Sequence, residues 1–383
     1  MTCDAVVVGA GVAGCTLARL LAEKGQSVLL LEQRPHIAGQ AYDEKDDHGV
    51  LVHRYGPHLF HTSNRRTVEF LSRFTGWHPY EHHVMASING YLVPLPFNFD
   101  SLERLFPSKD ALRLEEKMSG AFGEGARISI WELLSAQEEE LRELGRYIYE
   151  NVFYHYTTKQ WGREPDELSP DVLSRVPVVA GRDGRYFTDP FQAMPDEGYT
   201  PLFTRMTTHA GITLETETSW KERLSFSRGE IALDGKPYPG AVCFTAPLDE
   251  LFDFCYGELP YRSLSFTFSH LQAARFQPVC TVNYPNEEAY TRITEFKHCT
   301  GQDVPGTTIA YEYPRPCSLS RGDIPYYPVP GEESAGLYEQ YAALGRSYRR
   351  LFPVGRLAEY KYYNMAQAMD AAFAVAETIS ATL

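Results

Sequence analysis

Val6-Val7-Val8-Gly9-Ala10-Gly11-Val12-Ala13-Gly14 is the stretch whose reading decides the fold. A short β-branched run enters Gly-x-Gly-x-x-Gly, and Leu17, Leu20 and Leu21 follow at helical spacing. Gly9 permits a tight turn, Gly11 lets the backbone approach a pyrophosphate, and Gly14 allows close strand–helix packing. The helix N-terminus then offers unpaired N–H groups and the positive end of its dipole to phosphates. A second apolar strand, 27–31, ends in Glu32 at the spacing of a ribose-binding carboxylate. Strand, glycines, helix, strand and acid in this order point to dinucleotide binding. The alternative is a tight strand–helix turn that holds no ligand.

A chain of 383 residues buries a large core and calls for two or three domains. The net charge of −14 argues against a nucleic-acid surface, which needs clustered Lys and Arg. An anionic ligand would need local arginines to overcome that field. Seven cysteines without a Cys-x-x-Cys pair read as reduced thiols, with no disulfide framework or zinc site. No signal-peptide pattern and no run of membrane-spanning length is seen, so the expectation is a cytoplasmic protein with no membrane span. The 25 Tyr, 21 Phe and 4 Trp suit either a filled core or a site that stacks on planar rings.

Outward along the chain, Gly39-Gln40-Ala41 offers small residues for backbone approach, or a plain surface turn. Tyr55-Gly56-Pro57-His58-Leu59-Phe60-His61-Thr62 carries two histidines three apart, too few ligands for a metal. Alternation over 79–99, broken by Asn89-Gly90, predicts a β-hairpin. Residues 101–154 have helical apolar spacing and predict an inserted helical subdomain. Its end, 153–163, is unusually aromatic, and the loop beyond it is punctuated by Gly162, Pro165 and Pro170, which suits a mobile segment. A helix and strand are expected over 199–214, then a buried strand at 242–247 returning to the first sheet. Segments 264–269, 279–284, 290–296 and 307–313 predict an antiparallel sheet closed by Tyr326-Tyr327-Pro328. Met365, Met369, Ala372, Phe373, Ala376 and Ile379 predict a last helix, N-capped by Asn364.

These blocks, with Tyr156-Thr157-Thr158-Lys159-Gln160-Trp161-Gly162, Tyr290-Thr291-Arg292, Glu312-Tyr313-Pro314 and Gly355-Arg356-Leu357-Ala358-Glu359-Tyr360, resemble the UDP-galactopyranose mutase family over essentially the whole chain. The resemblance implies an α/β fold: a Rossmann-like FAD-binding domain (1–76, 196–248, 331–383), a helical substrate subdomain (99–176) and an antiparallel β-sheet domain (77–98, 177–195, 249–330). It implies FAD, active when reduced, held by Gly9, Gly11, Gly14, Glu32, Gln33, Gly39, Gln40, His61, Gly355, Arg356, Asn364 and Met365. It implies a nucleotide-sugar cleft lined by Phe153, Tyr156, Thr157 and Trp161, with Arg175 and Arg292 on the diphosphate. Tyr186, Tyr327 and Tyr362 would bond phosphate oxygens, and Asn283 and Glu312 would lie near the sugar.

The implied activity is redox-neutral interconversion of UDP-galactopyranose and UDP-galactofuranose through a flavin N5–sugar adduct, with Arg175, Arg292 and His61 as the catalytic set. Guanidinium forks suit a diphosphate, and the residues offer no evident protein nucleophile. A reductant such as NAD(P)H and a homo-oligomeric state belong to the same expectation. His155, Val179, Phe191, Ala38 and Gln40 depart from the family pattern, and His155 and Val179 predict a shifted preference among nucleotide sugars. The rival readings are a mutase acting on a deoxy, N-acetyl or dTDP sugar, an amine-oxidase-like flavoenzyme, and a non-catalytic nucleotide-sugar binder.

Overall fold

The computed structural model describes residues 3–168 and 171–382, so Pro170 lies outside the described residues. At its centre is a five-stranded parallel sheet in the order Ile212–Glu215, Val28–Leu31, Ala5–Val8, Ala241–Phe244, Leu351–Pro353. All residues of Ala5–Val8 and Val28–Leu31 are buried, as expected of unbroken apolar runs covered on both faces. The chain leaves Ala5–Val8 toward one side of the sheet and later returns to its other side. The C-terminal edge of this strand is therefore the topological switch point, where open α/β sheets bind ligands.

The helices Val12–Glu23 and Met365–Thr382 cover one face, with Leu17, Leu21, Met369, Ala372, Phe373 and Ile379 in the core between them. Asn364 caps the last helix reciprocally: its Oδ1 accepts from Gln367 N at 2.8 Å while Gln367 Oε1 accepts from Asn364 N at 3.0 Å. Trp220, Leu248, Tyr341 and Tyr348 fill the opposite face. No helix of the described residues is long and apolar enough to cross a membrane.

The second large sheet has seven strands in the order Tyr327–Pro328, Tyr261–Leu271, Thr307–Pro316, Arg292–Glu295, Thr281–Asn283, Val84–Ile88, Tyr91–Leu95. It is antiparallel at every junction but one, since Thr281–Asn283 runs parallel to Val84–Ile88. The helical insertion and most of the chain separate those two strands, so no tight turn dictates their direction. Within the hairpin, Asn89 (φ 51°) and Gly90 (φ 82°) form the left-handed pair that matches strand twist. A smaller sheet pairs Phe191–Pro195 with Phe60–Thr62 and Trp77–Pro79, drawing strands from both sides of the expected 76/77 boundary.

The insertion consists of Phe99–Leu105, Ser108–Phe122, Ile130–Leu134 and Glu139–Ile148, packed on the hairpin through Leu102, Met118, Ile130, Leu141 and Ile148. A π-helical turn, Tyr149–Tyr154, leads into the helix His155–Trp161. Two cations fasten that helix to the large sheet. Lys159 Nζ donates to the carbonyls of Tyr284 and Glu288 at 2.5 and 2.9 Å. Arg262 donates to the carbonyls of Gln160 and Lys159 at 2.9 and 3.1 Å, where the helix end leaves acceptors unpaired.

Candidate active site

A cavity of about 1070 Å³ opens at the switch point, lined by Gly9, Gly11, Glu32, Gln33, Gly39, Gln40, Gly355, Arg356, Asn364 and Met365. Glu32 is buried, its Oε2 accepting from Ala10 N at 2.8 Å and Oε1 from Arg34 N at 2.9 Å, which orients the carboxylate. The glycines divide by what requires them. A Cβ on Gly14 would lie 1.8 Å from Gly9 O, and one on Gly9 would lie 2.2 Å from Thr245 Oγ1, so the fold itself demands both. Gly11 has an ordinary φ of −82°, and its Cβ would come no closer than 3.7 Å to the protein. Nothing in the chain forbids a side chain there. The demand comes from what the cradle holds, and a pyrophosphate on the helix N-terminus meets it.

Ala38, where the family pattern has glycine, sits buried at φ 72°, a conformation that costs a non-glycine residue about 1–2 kcal/mol. Gln40 ties this loop to the far wall by donating to Pro325 O at 2.5 Å.

A second cavity, about 1420 Å³, shares Gln40, His58, Arg356, Asn364 and Met365 with the first, so the two form one groove. Sheet register builds its floor: Asn283 pairs with Arg292, and Arg292 with Glu312, placing the three in a row on one face at the inter-strand spacing of about 4.8 Å. Arg292 Nη2 lies 2.8 Å from Glu312 Oε1. Arg292 Nε and Glu312 Oε2 are buried without a protein partner among the described residues. Burial works against the Arg292 charge, but the Glu312 carboxylate outweighs it and holds the pKa well above the ordinary value. Buried polar atoms left open in this way are suited to a ligand.

The walls are aromatic. Trp161 lies 5.6 Å from Tyr362 and 6.3 Å from Tyr327, and the Arg175 guanidinium sits 4.0 Å above the Tyr362 ring. Arg356 approaches Tyr327 and Tyr362 at 5.6 and 5.8 Å and donates from Nε to Tyr363 O at 2.9 Å. Burial raises the pKa of Tyr156, Tyr186 and Tyr327 against the pull of Arg292, so their hydroxyls remain donors near neutral pH.

The expected residues do not all reach the groove. Arg175, Arg292, His61, Tyr156, Tyr186, Asn283, Glu312, Tyr327 and Tyr362 line it. Phe153 instead packs in the core of the insertion with Leu144, Ile148 and Val152, Thr157 is buried away from the groove, and Trp161 is buried against Tyr327 and Tyr362 without lining the groove itself. Tyr156 is three residues from Phe153, yet the π-to-α junction between them changes the register and sends the two rings to different surroundings. Gly14 serves packing, while His61 belongs to the second cavity and not the first.

Sequence reasoning passed over His82, Phe187, Tyr326 and Asp189. His82, Phe187 and Tyr326 line the groove. His58 was seen only as half of a histidine pair, yet it lines both cavities. Burial pushes the His58 and His82 pKa values down to about 3, keeping both imidazoles neutral. His61 Nδ1 is 2.7 Å from Asp189 Oδ2. The departures point elsewhere than expected: His155 is exposed, Val179 is fully buried in a strand pair with Arg127, and Phe191 packs edge-on against Phe60 and Trp77. None of the three touches the groove, so they supply no contact that selects a sugar.

Residues 151–362 match the family model described as UDP-galactopyranose mutase, and residues 7–74 match an NAD(P)-binding Rossmann-like domain. The chain is 35% identical over 366 residues to a probable UDP-galactopyranose mutase of Klebsiella pneumoniae, covering 94% of this chain and 90% of that one. It is 33% identical over 363 residues to the dTDP-fucopyranose mutase of Escherichia coli, covering 94% of each. A crystal structure of reduced UDP-galactopyranose mutase superposes with a TM-score of 0.74 at 16% identity, covering 100% of this chain and 95% of that one, which shows the shared fold. Flavin-containing amine oxidases match only about a quarter of the chain. The matched family is flavin-dependent, and the cradle around Gly11 fits FAD. On these grounds the chain belongs to the UDP-galactopyranose mutase family.

Proposed function

We propose that the protein interconverts the pyranose and furanose forms of a nucleoside diphosphate sugar without net redox change, UDP-galactose being the first substrate to test. The observation that carries this reading is the row Asn283–Arg292–Glu312, whose open buried atoms face the same groove as the dinucleotide cradle. Arg292 and Arg175 both line the groove and suit a diphosphate bound by two guanidinium groups. Tyr156, Tyr186, Tyr327 and Tyr362 supply phenol donors for phosphate oxygens, and the Tyr327 and Tyr362 rings, backed by Trp161, suit a pyrimidine base. Asn283 and Glu312, on either side of Arg292 in the row, suit sugar hydroxyls. Gly9, Gly11, Glu32, Gly39, Arg356, Asn364 and Met365 would hold FAD along the connected cavity. When bound and reduced, FAD would supply a nucleophile for the anomeric carbon. A donor such as NAD(P)H would keep it reduced.

The finer substrate is open between two sugars by one observation: the relatives named for UDP-galactopyranose and dTDP-fucopyranose are nearly equally similar. Dithionite-reduced protein should be incubated separately with UDP-galactose and with dTDP-fucose, and the pyranose and furanose forms separated by chromatography. Conversion of either, with no oxidised or reduced sugar product, is expected. Conversion of neither, or turnover that yields a net oxidation or reduction product, overturns the proposal.

A further inference from the structure

Two residues from one short segment converge on the His61 ring, and a third holds them there. Asp189 Oδ2 lies 2.7 Å from Nδ1, and Phe187 stacks on the imidazole at 3.6 Å with the planes 10° apart. Gln192 stands directly opposite His61 in the antiparallel register, and its side-chain amide donates to Phe187 O at 3.1 Å and Asp189 O at 3.2 Å. The residue paired with His61 therefore staples the loop that brings the other two to it. The pair is shielded but not sealed, with 15% of the His61 side chain and 28% of the Asp189 side chain exposed. His82, kept neutral by burial, stacks at 5.7 Å from Phe187, and Arg292, His83 and His61 are the nearby groups that act on it. A carboxylate on Nδ1 leaves Nε2 as the nitrogen that faces ligand, since His61 lines the groove and Nε2 has no hydrogen-bond partner among the described residues.

We propose that Asp189 is the positioning residue for His61, fixing the Nδ1–H tautomer so that Nε2 exchanges a proton with the sugar. This rests on the nucleotide-sugar reading above. Contraction of a hexopyranose to the furanose breaks C1–O5, forms C1–O4, and moves the 4-hydroxyl proton to O5, with no electrons gained or lost. One imidazole nitrogen can relay that proton between the two oxygens, and Asp189 balances the ring's positive charge while it carries the proton.

The test uses FAD-loaded protein with 15N-labelled histidine, comparing wild type with Asp189→Asn and Asp189→Glu. In wild type the neutral His61 ring should show the Nδ1–H tautomer. Asp189→Asn should shift or mix the tautomers and lower kcat by about 10²-fold or more, within the 10²–10⁴-fold that a positioned proton-transfer group contributes. KM for the nucleotide sugar and FAD content should stay within about twofold, and Asp189→Glu should restore part of kcat. Unchanged tautomer and kcat in Asp189→Asn would overturn the proposal, as would equal losses of kcat, FAD and substrate binding. Should Asp189→Asn fail to fold, the displaced carboxylate of Asp189→Glu carries the same comparison. Wild-type protein that isomerises no nucleotide sugar would sink the functional reading instead, while the tautomer measurement in that sample remains valid.

Discussion

Arg292 and Glu312 form a cross-strand ion pair at 2.8 Å in which each partner keeps one buried atom without a protein partner among the described residues. Removing one partner strands the other's charge, which typically costs about 3–5 kcal/mol. Arg292→Ala should therefore lose both stability and UDP affinity, the latter by tens-fold or more. Arg292→Met combined with Glu312→Gln should recover most of the stability and none of the affinity. Calorimetric UDP titration beside urea unfolding checks this, and recovery of binding in the double variant would remove Arg292 from the diphosphate.

The glycine motif gives a sharper separation. Gly11→Ala should leave the cofactor-free fold near wild-type stability, because its φ is ordinary and the nearest atom outside its chain neighbours, Gly39 Cα, would lie 3.7 Å from the new Cβ. FAD titration should nevertheless show binding lost. Gly14→Ala, whose Cβ would lie 1.8 Å from Gly9 O, should lower the unfolding temperature before any cofactor is added. Equal destabilisation by both substitutions would mean that Gly11 is a packing residue.

These contrasts show what a sequence alone makes legible. The cradle, the Asn89-Gly90 turn and the Asn364 cap are local: residues within a few positions dictate the backbone, so pattern suffices. The row Asn283–Arg292–Glu312 was visible only as three separate candidates, because strand register joins them. Asp189 was not visible at all. It meets His61 across 128 positions, and an aspartate among turn formers carries no local sign of that partner. Phe153 misleads for a related reason, since an aromatic run does not announce the π turn that redirects it.

Acid should weaken the fold through buried histidines. Burial pushes the His53 pKa from 6.5 down to about 4, and those of His58 and His82 to about 3. Below pH 6.5 the unfolded chain binds protons that the native rings refuse, so stability falls as pH drops toward 4 and is unaffected above 6.5. Each histidine contributes at most about 1.4 kcal/mol per pH unit. Asp249, raised to about 6 by burial, has the opposite sign and offsets one of them. His53 Nδ1 accepts from His58 N at 3.0 Å, and Asn at position 53 retains an acceptor. Urea unfolding from pH 7 to 4.5 should give a shallower slope for His53→Asn, and parallel curves would place the acid sensitivity elsewhere.

The family departures should matter less for substrate than for folding. His155→Gly alters an exposed side chain outside the groove and should leave the ranking of nucleotide sugars unchanged. Val179→Arg places a charge at a fully buried position without a partner and should destabilise by several kcal/mol. A reordered substrate ranking in His155→Gly would show that this face communicates with the groove.

At the other end of the groove, Asn364 separates helix stability from cofactor electrostatics. Its side chain is engaged in the reciprocal cap with Gln367, at the start of the 18-residue helix Met365–Thr382. Asn364 and Met365 line both cavities, so this positive helix end faces the groove where FAD would be held. A reduced flavin carries negative charge, which the helix end favours and a neutral Asn does not oppose. Aspartate caps helices as well as asparagine, and its charge suits the dipole, so Asn364→Asp should keep or slightly raise the unfolding temperature without cofactor. The same charge repels the reduced cofactor and should lower its midpoint potential, by ~30 mV for an interaction of ~1.4 kcal/mol in a two-electron couple. Stability and potential should thus move in opposite directions after one substitution. Thermal unfolding of the FAD-free protein, set beside dye-equilibrated reduction of the loaded enzyme, reads both. A potential unchanged or raised in Asn364→Asp would show that this helix end does not stabilise reduced FAD.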